Sequence, residues 1–191
     1  MKLGLPVQWR IGGVMLVIGG LLGVVGAVVY NAIPGLFGTW LTVIGLFFEG
    51  AGLITVSFGF AADTIPTWTR RLLQITGALV IAEFAISVVQ LVAPSVPSTI
   101  SSVLFILVTA AFLISAVAIF RSPSIHGPIG WALIPAAVFE VVDYFLETSG
   151  YGGVWWIVAI FGALYVLAGV VFASRGLRSR AGSSARKRTL L

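Results

Sequence analysis

Apolar residues along this chain gather in six long runs, residues 11–30, 36–60, 72–92, 99–120, 128–147 and 154–173, parted by short stretches rich in proline, glycine and basic residues. About twenty residues at 1.5 Å each cross a ~30 Å hydrocarbon layer. The pattern therefore predicts an all-α integral membrane protein, a bundle of six spanning helices over residues 11–173. Residues 1–10 form a short start and residues 174–191 a polar, basic tail expected to be irregular. The first run is longer than the apolar core of a secretory signal and no small-x-small site closes it, so it reads as a retained helix.

Inside the runs, small and polar residues recur at alternating spacings of four and three, the repeat of one helix face. The first run has Gly12, Leu16, Gly19, Gly23, Gly26 and Tyr30, in which Gly19 and Gly23 make a GxxxG pair. The second has Gly38, Thr42, Gly45, Glu49, Gly52, Val56 and Gly59, and the sixth has Val158, Gly162, Tyr165 and Gly169. Gly19, Gly23, Gly45, Gly52, Gly162 and Gly169 are the expected helix-packing positions, because a missing side chain lets backbones approach closely. Such faces also leave a homo-oligomer open. The third run puts Thr76, Val80, Glu83, Ser87 and Gln90 on one face, while the fourth is the least polar.

Charge placement turns the runs into a topology. All eleven Lys and Arg residues fall at the N-terminus, in the second and fourth loops, or at the C-terminus. By the positive-inside rule that side is cytoplasmic, with both termini inside a bacterial-type cell membrane. Trp9, Trp68 and Trp131 then mark the inner boundary, and Trp40, Trp155 and Trp156 the outer one. The tail residues Arg175, Arg178, Arg180, Arg186, Lys187 and Arg188 suit contact with anionic lipid, at about 1 kcal/mol per basic residue near the surface. Because the net charge of +5 is gathered on one membrane side, nucleic acid is not an expected partner.

Superimposing Gly13, Gly77 and Gly130 aligns three hairpins without gaps, 13–57, 77–121 and 130–174, which predicts three parallel helical hairpins around an axis near the membrane normal. Gly19, Glu83 and Ala136 then coincide, as do Gly23, Ser87 and Glu140, and Gly26, Gln90 and Asp143. The openings Ile11 to Gly23, Thr76 to Ser87 and Ile129 to Glu140, together with small-residue second helices such as Gly45 to Gly59, resemble the HdeD-like short-repeat family of small bacterial membrane proteins. The resemblance spans about Trp9 to Ser174. It implies a six-helix fold and a non-enzymatic role in acid or envelope stress, and it brings no catalytic residue with it.

Composition excludes several chemistries. The chain has 191 residues, no cysteine and one histidine, His126, with a mean hydropathy of +1.13. Thiol catalysis, thiolate metal sites and most zinc or Ser-His chemistry are thereby removed, and no metal motif such as HExxH occurs. Neither cofactor nor metal is expected. What remains is acidic. Glu49 and Glu83 lie near mid-span, and Glu140, Asp143 and Glu147 are spaced i, i+3, i+7, within roughly 60° of one another on a helix. The fifth run offers nine Ile, Leu, Val and Phe residues. They supply roughly −3 to −5 kcal/mol of insertion free energy, and two mid-membrane acids take back about 5 to 7. The run must therefore be sheltered by other helices. Pro135 within it withholds a donor from the Trp131 carbonyl, so a kink is expected about one turn before Glu140.

With no basic residue at matching depth, the acids are protonated, hydrogen-bonded to neighbouring polar groups, or holding a cation. Two functions from different classes follow. One is a small non-enzymatic membrane protein acting through lipid or partner packing, its acids serving as helix glue. The other is a proton- or cation-conducting channel or transporter whose path uses Glu83, Glu140, Asp143, Glu147 and Glu49. The discriminating observation is whether the acids surround one cavity or each cap a separate helix.

Overall fold

Every apolar run forms a helix, because a chain whose backbone groups lose water must pair them internally. The computed structural model describes residues 5–33, 35–60, 64–93, 98–123, 125, 127–151 and 155–188, and among these no strand occurs. The helices are α1 (Leu5–Ala32), α2 (Leu36–Gly59), α3 (Thr67–Val92), α4 (Ser98–Phe120), α5 (Pro128–Trp131), α6 (Ile134–Leu146) and α7 (Trp155–Arg188), with one π-helical turn, Glu147–Tyr151, after α6. Six segments are long and apolar enough to span a membrane: Val7–Ala32, Leu36–Gly59, Thr67–Val92, Thr99–Phe120, Pro128–Gly150 and Trp155–Ser174. The loop residues Asp63 and His126 lie outside the described residues.

Several boundaries differ from the sequence reading: α1 begins at Leu5 and α3 at Thr67, each about a turn or more before its apolar run, and two further differences are larger. The helix that begins at Trp155 does not stop at Ser174 but continues through Arg188. Arg, Leu, Ala and Lys favour helix, and extending an existing helix avoids the nucleation cost. The fifth span is interrupted: α5 ends at Trp131, and Ala132 turns back to bond the Ile129 carbonyl at 3.3 Å. Pro135 is the cause, since it cannot donate to the Trp131 carbonyl. Regular bonding resumes with Ala137 N–H to the Leu133 carbonyl at 3.0 Å, leaving Pro135 in the first turn of α6, where it is tolerated.

The helices pack in a closed ring in chain order, with α7 returning to α1. α1 is the most tightly held, because it carries two glycine seams rather than one. Gly12, Gly19 and Gly26 face Gly52, Gly45 and Gly38 of α2, so closely that a Cβ on each would lie 2.9, 2.8 and 2.7 Å from the opposing carbonyl oxygen. The adjacent row, Gly13 and Gly20, meets Gly169 and Gly162 of α7. Gly50 of α2 and Gly77 of α3 form a further contact of this kind. The outward face of α1, Ile11, Val14, Ile18, Leu21, Val25 and Val28, is exposed, as a lipid-facing stripe would be.

Near the end of the bundle that carries the chain termini, the ring is filled. Trp9, Phe60 and Phe172 form an aromatic cluster with centroids 5.4 to 6.2 Å apart. Leu16, Leu53, Val56, Leu73 and Phe112 are fully buried beside it. This apolar plug fills the ring at that end.

Candidate functional site

In the other half the ring encloses a cavity of about 190 Å³ walled by all six spans. Gly23 comes from α1; Thr42, Leu46 and Glu49 from α2; Val80 and Glu83 from α3; Phe105 and Val108 from α4. Glu140 and Asp143 come from α6, and Val158, Phe161, Gly162 and Tyr165 from α7. Among the described residues the lining holds no basic group.

The local sequence explains how the acids arrive there. Glu49 follows Gly45 by one turn on α2, and its stem lies directly over Gly19 of α1, where a Cβ would sit 2.6 Å from Glu49 Cγ. Glycine at position 19 is what allows the Glu49 side chain to turn inward. Gly23, one turn further on, leaves open space: a Cβ there would find Gly162 Cα at 3.7 Å and Glu49 Oε1 at 4.0 Å. Glu140 is carried inward by the same face of α6 that buries Ala136 and Ala137 in the core. Asp143 follows three residues later on that face. Glu49 and Glu140 are only 4% and 3% exposed. Glu83, Asp143 and Glu49 are all near enough for their charges to act on Glu140.

Tyr165 forms the floor. Fully buried, it stacks on Phe112 at 5.9 Å and meets Phe161 edge-on at 4.9 Å, so one side of its ring faces the cavity and the other the plug. Phe139 of α6 stacks on Phe161 at 6.4 Å across the α6–α7 seam. Like charges gathered in a site of low dielectric repel one another, so the arrangement favours uptake of positive charge, a proton or a cation. Among the described residues no group of three or more Asp, Glu or His side chains is placed to hold a metal ion.

Four of the five acids singled out from the sequence, Glu49, Glu83, Glu140 and Asp143, thus share one cavity. The side chain of Glu147 lies outside the described residues, as do those of Arg175, Arg178, Arg180, Arg186, Lys187 and Arg188, whose backbone is helical. The six glycines divide: Gly19, Gly45, Gly52 and Gly169 are at helix contacts, Gly162 both packs on α1 and lines the cavity, and the missing side chain of Gly23 faces the cavity. Gly45 packs over both Gly19 and Gly23, its Cβ position 2.8 Å from the Gly19 carbonyl oxygen and 3.3 Å from the Gly23 backbone nitrogen, so the two glycines share the α1–α2 seam while only the missing side chain of Gly19 points into it. The polar face of α3 also divides, since Thr76 bonds back to the Leu72 carbonyl at 2.9 Å and Gln90 donates to Ser101 Oγ of α4 at 2.8 Å. Sequence reasoning missed Phe105 and Phe161, because an aromatic residue in an apolar run carries no signal of facing a cavity. The second glycine row, Gly13 and Gly20, was legible as a seven-residue spacing beside the first.

Comparison of the chain with family models, curated proteins and solved structures finds no match.

Proposed function

We propose that this chain is a multi-pass membrane protein that carries protons or small cations, with Glu49, Glu83, Glu140 and Asp143 as the groups that take up the charge. One observation carries the reading: four carboxylates from three helices line a single cavity. Intramembrane acids are expensive, and a bundle that gathers them in one place spends stability on a polar compartment that packing alone does not need.

The cavity ends at Tyr165 and the plug beneath it, so passage requires these side chains to move. That supports a transporter-like cycle over an open pore. The interrupted α5–α6 span supplies a place for such movement, since Ala132 and Leu133 at the break are buried in the plug. With the basic residues on the cytoplasmic side, the cavity belongs to the outward half of the bundle. The envelope-stress role implied by the family resemblance is a compatible setting for proton handling.

The test is ion flux into liposomes holding the purified protein, followed with an internal pH dye under an imposed potential. Native chain, Glu140→Gln and Asp143→Asn are compared, with sodium and potassium varied in parallel. Flux by the native chain that both substitutions abolish, at unchanged thermal stability, supports the reading. No flux above empty liposomes for protons or either cation, with lowered stability of the variants, overturns it and leaves the carboxylates as helix glue.

A further inference from the structure

A second feature lies on the outer surface of the bundle, at the end that carries the termini. A groove of about 560 Å³ runs between the start of α3 and the last turns of α4. Its walls are Leu113, Ile114, Val117 and Ala118 on one side and Pro66 and Trp68 on the other; Arg121, Ser122 and Pro123 close its end. From Leu113 to Arg121 is eight residues of α4, so the apolar trough extends ~12 Å along the helix axis before it meets the guanidinium. Ser122 Oγ donates to the Thr64 carbonyl at 2.6 Å, tying the α2–α3 connection to the end of α4 and holding Pro66 and Pro123 in place. The groove is therefore built by a cross-link between two connections. Ile114 and Trp68 are more than half exposed, and Arg121 is exposed at its mouth.

We infer that this groove is a binding site for one anionic phospholipid, with the headgroup phosphate at Arg121 and the upper acyl chain along Leu113, Ile114 and Val117. Charge and depth choose the occupant. Among the described residues of the lining the one ionic group is a cation, and it stands where the apolar trough ends, as a phosphate stands above its acyl chain. Trp68, an indole beside that boundary, suits the interfacial level. Arg10 in the second turn of α1 and Arg70 and Arg71 in the first two turns of α3 lie toward the same end, so the surrounding field also favours negative lipid. A free inorganic phosphate would use Arg121 and leave the trough empty.

The experiment is native mass spectrometry of the full chain in detergent, with phosphatidylglycerol and phosphatidylcholine of identical acyl chains supplied in equal amounts. The native chain, Arg121→Gln and the groove-filling Ala118→Phe are compared after each variant is shown to melt as the native chain does. Retention of phosphatidylglycerol above phosphatidylcholine is expected on the native chain. Loss of one surface cation should lower the anionic adduct about fivefold, and Ala118→Phe should remove both lipids from the site. The basic tail is unchanged in all three, so lipid bound there does not vary. Equal retention of the two lipids overturns the anionic preference. Undiminished phosphatidylglycerol on both variants, or a dimer that Ala118→Phe alone disperses, overturns the site.

Discussion

Gly19 and Gly23 look alike in sequence, one turn apart in the same GxxxG pair, yet their substitution by alanine should have opposite effects. At Gly19 a methyl group would stand 2.8 Å from the Gly45 carbonyl oxygen and 2.9 Å from the Glu49 backbone nitrogen. Those are backbone atoms of α2 and cannot swing aside as a side chain can. Restoring ordinary contact at 3.4 Å requires α1 and α2 to part by ~0.6 Å, and a rigid helix passes that shift to the Gly12 and Gly26 contacts of the same seam. Overpacking of this kind costs about 1–3 kcal/mol. At Gly23 the nearest atoms are 3.7 and 4.0 Å away, so the methyl enters the cavity without displacing anything. Both changes gain about 1 kcal/mol in helix propensity. The two variants should thus differ by about 1–3 kcal/mol, with Gly23→Ala at or above native stability. At about 2–4 °C per kcal/mol for a chain of this length, the gap in melting temperature is about 2–12 °C. Thermal unfolding in one detergent, followed by tryptophan fluorescence, measures it. Equal melting temperatures, or a less stable Gly23→Ala, would refute the assignment of Gly19 to the α1–α2 seam and of Gly23 to the cavity.

Two further outcomes follow from the interior. Thr109 Oγ1 is buried without a hydrogen-bond partner. Thr109→Val should therefore raise stability by about 1 kcal/mol, whereas Ser115→Ala, which deletes a 2.7 Å bond to the Ala111 carbonyl, should not; matched melting curves decide. Tyr165→Ala removes the cavity floor and its stacking on Phe112, so stability should fall by about 3–5 kcal/mol. In the liposome assay the surviving folded fraction should leak protons faster per molecule than the native chain, and an unchanged rate would contradict the role of Tyr165 as a barrier.

The helical class, the number of spans and the interrupted fifth helix are written in local sequence. Runs of about twenty apolar residues leave a backbone no choice in lipid but a helix, and Pro135 removes a particular donor wherever the chain lies. The acids could likewise be picked out one by one, because a carboxylate in such a run contradicts its surroundings. Their convergence could not. Whether Glu49, Glu83, Glu140 and Asp143 meet depends on the rotation of α2, α3 and α6 about their own axes, which is decided by contacts between helices distant in sequence. The glycine rows show the difference most clearly: spacing alone makes Gly19 and Gly23 equivalent. Only the packing of α1 against both α2 and α7 assigns Gly12, Gly19 and Gly26 to one seam, Gly13 and Gly20 to the other, and leaves Gly23 facing empty space. Phe105, Phe161 and Tyr165 became cavity walls for the same reason, since a side chain's helix fixes its direction and the neighbouring helices fix what it faces.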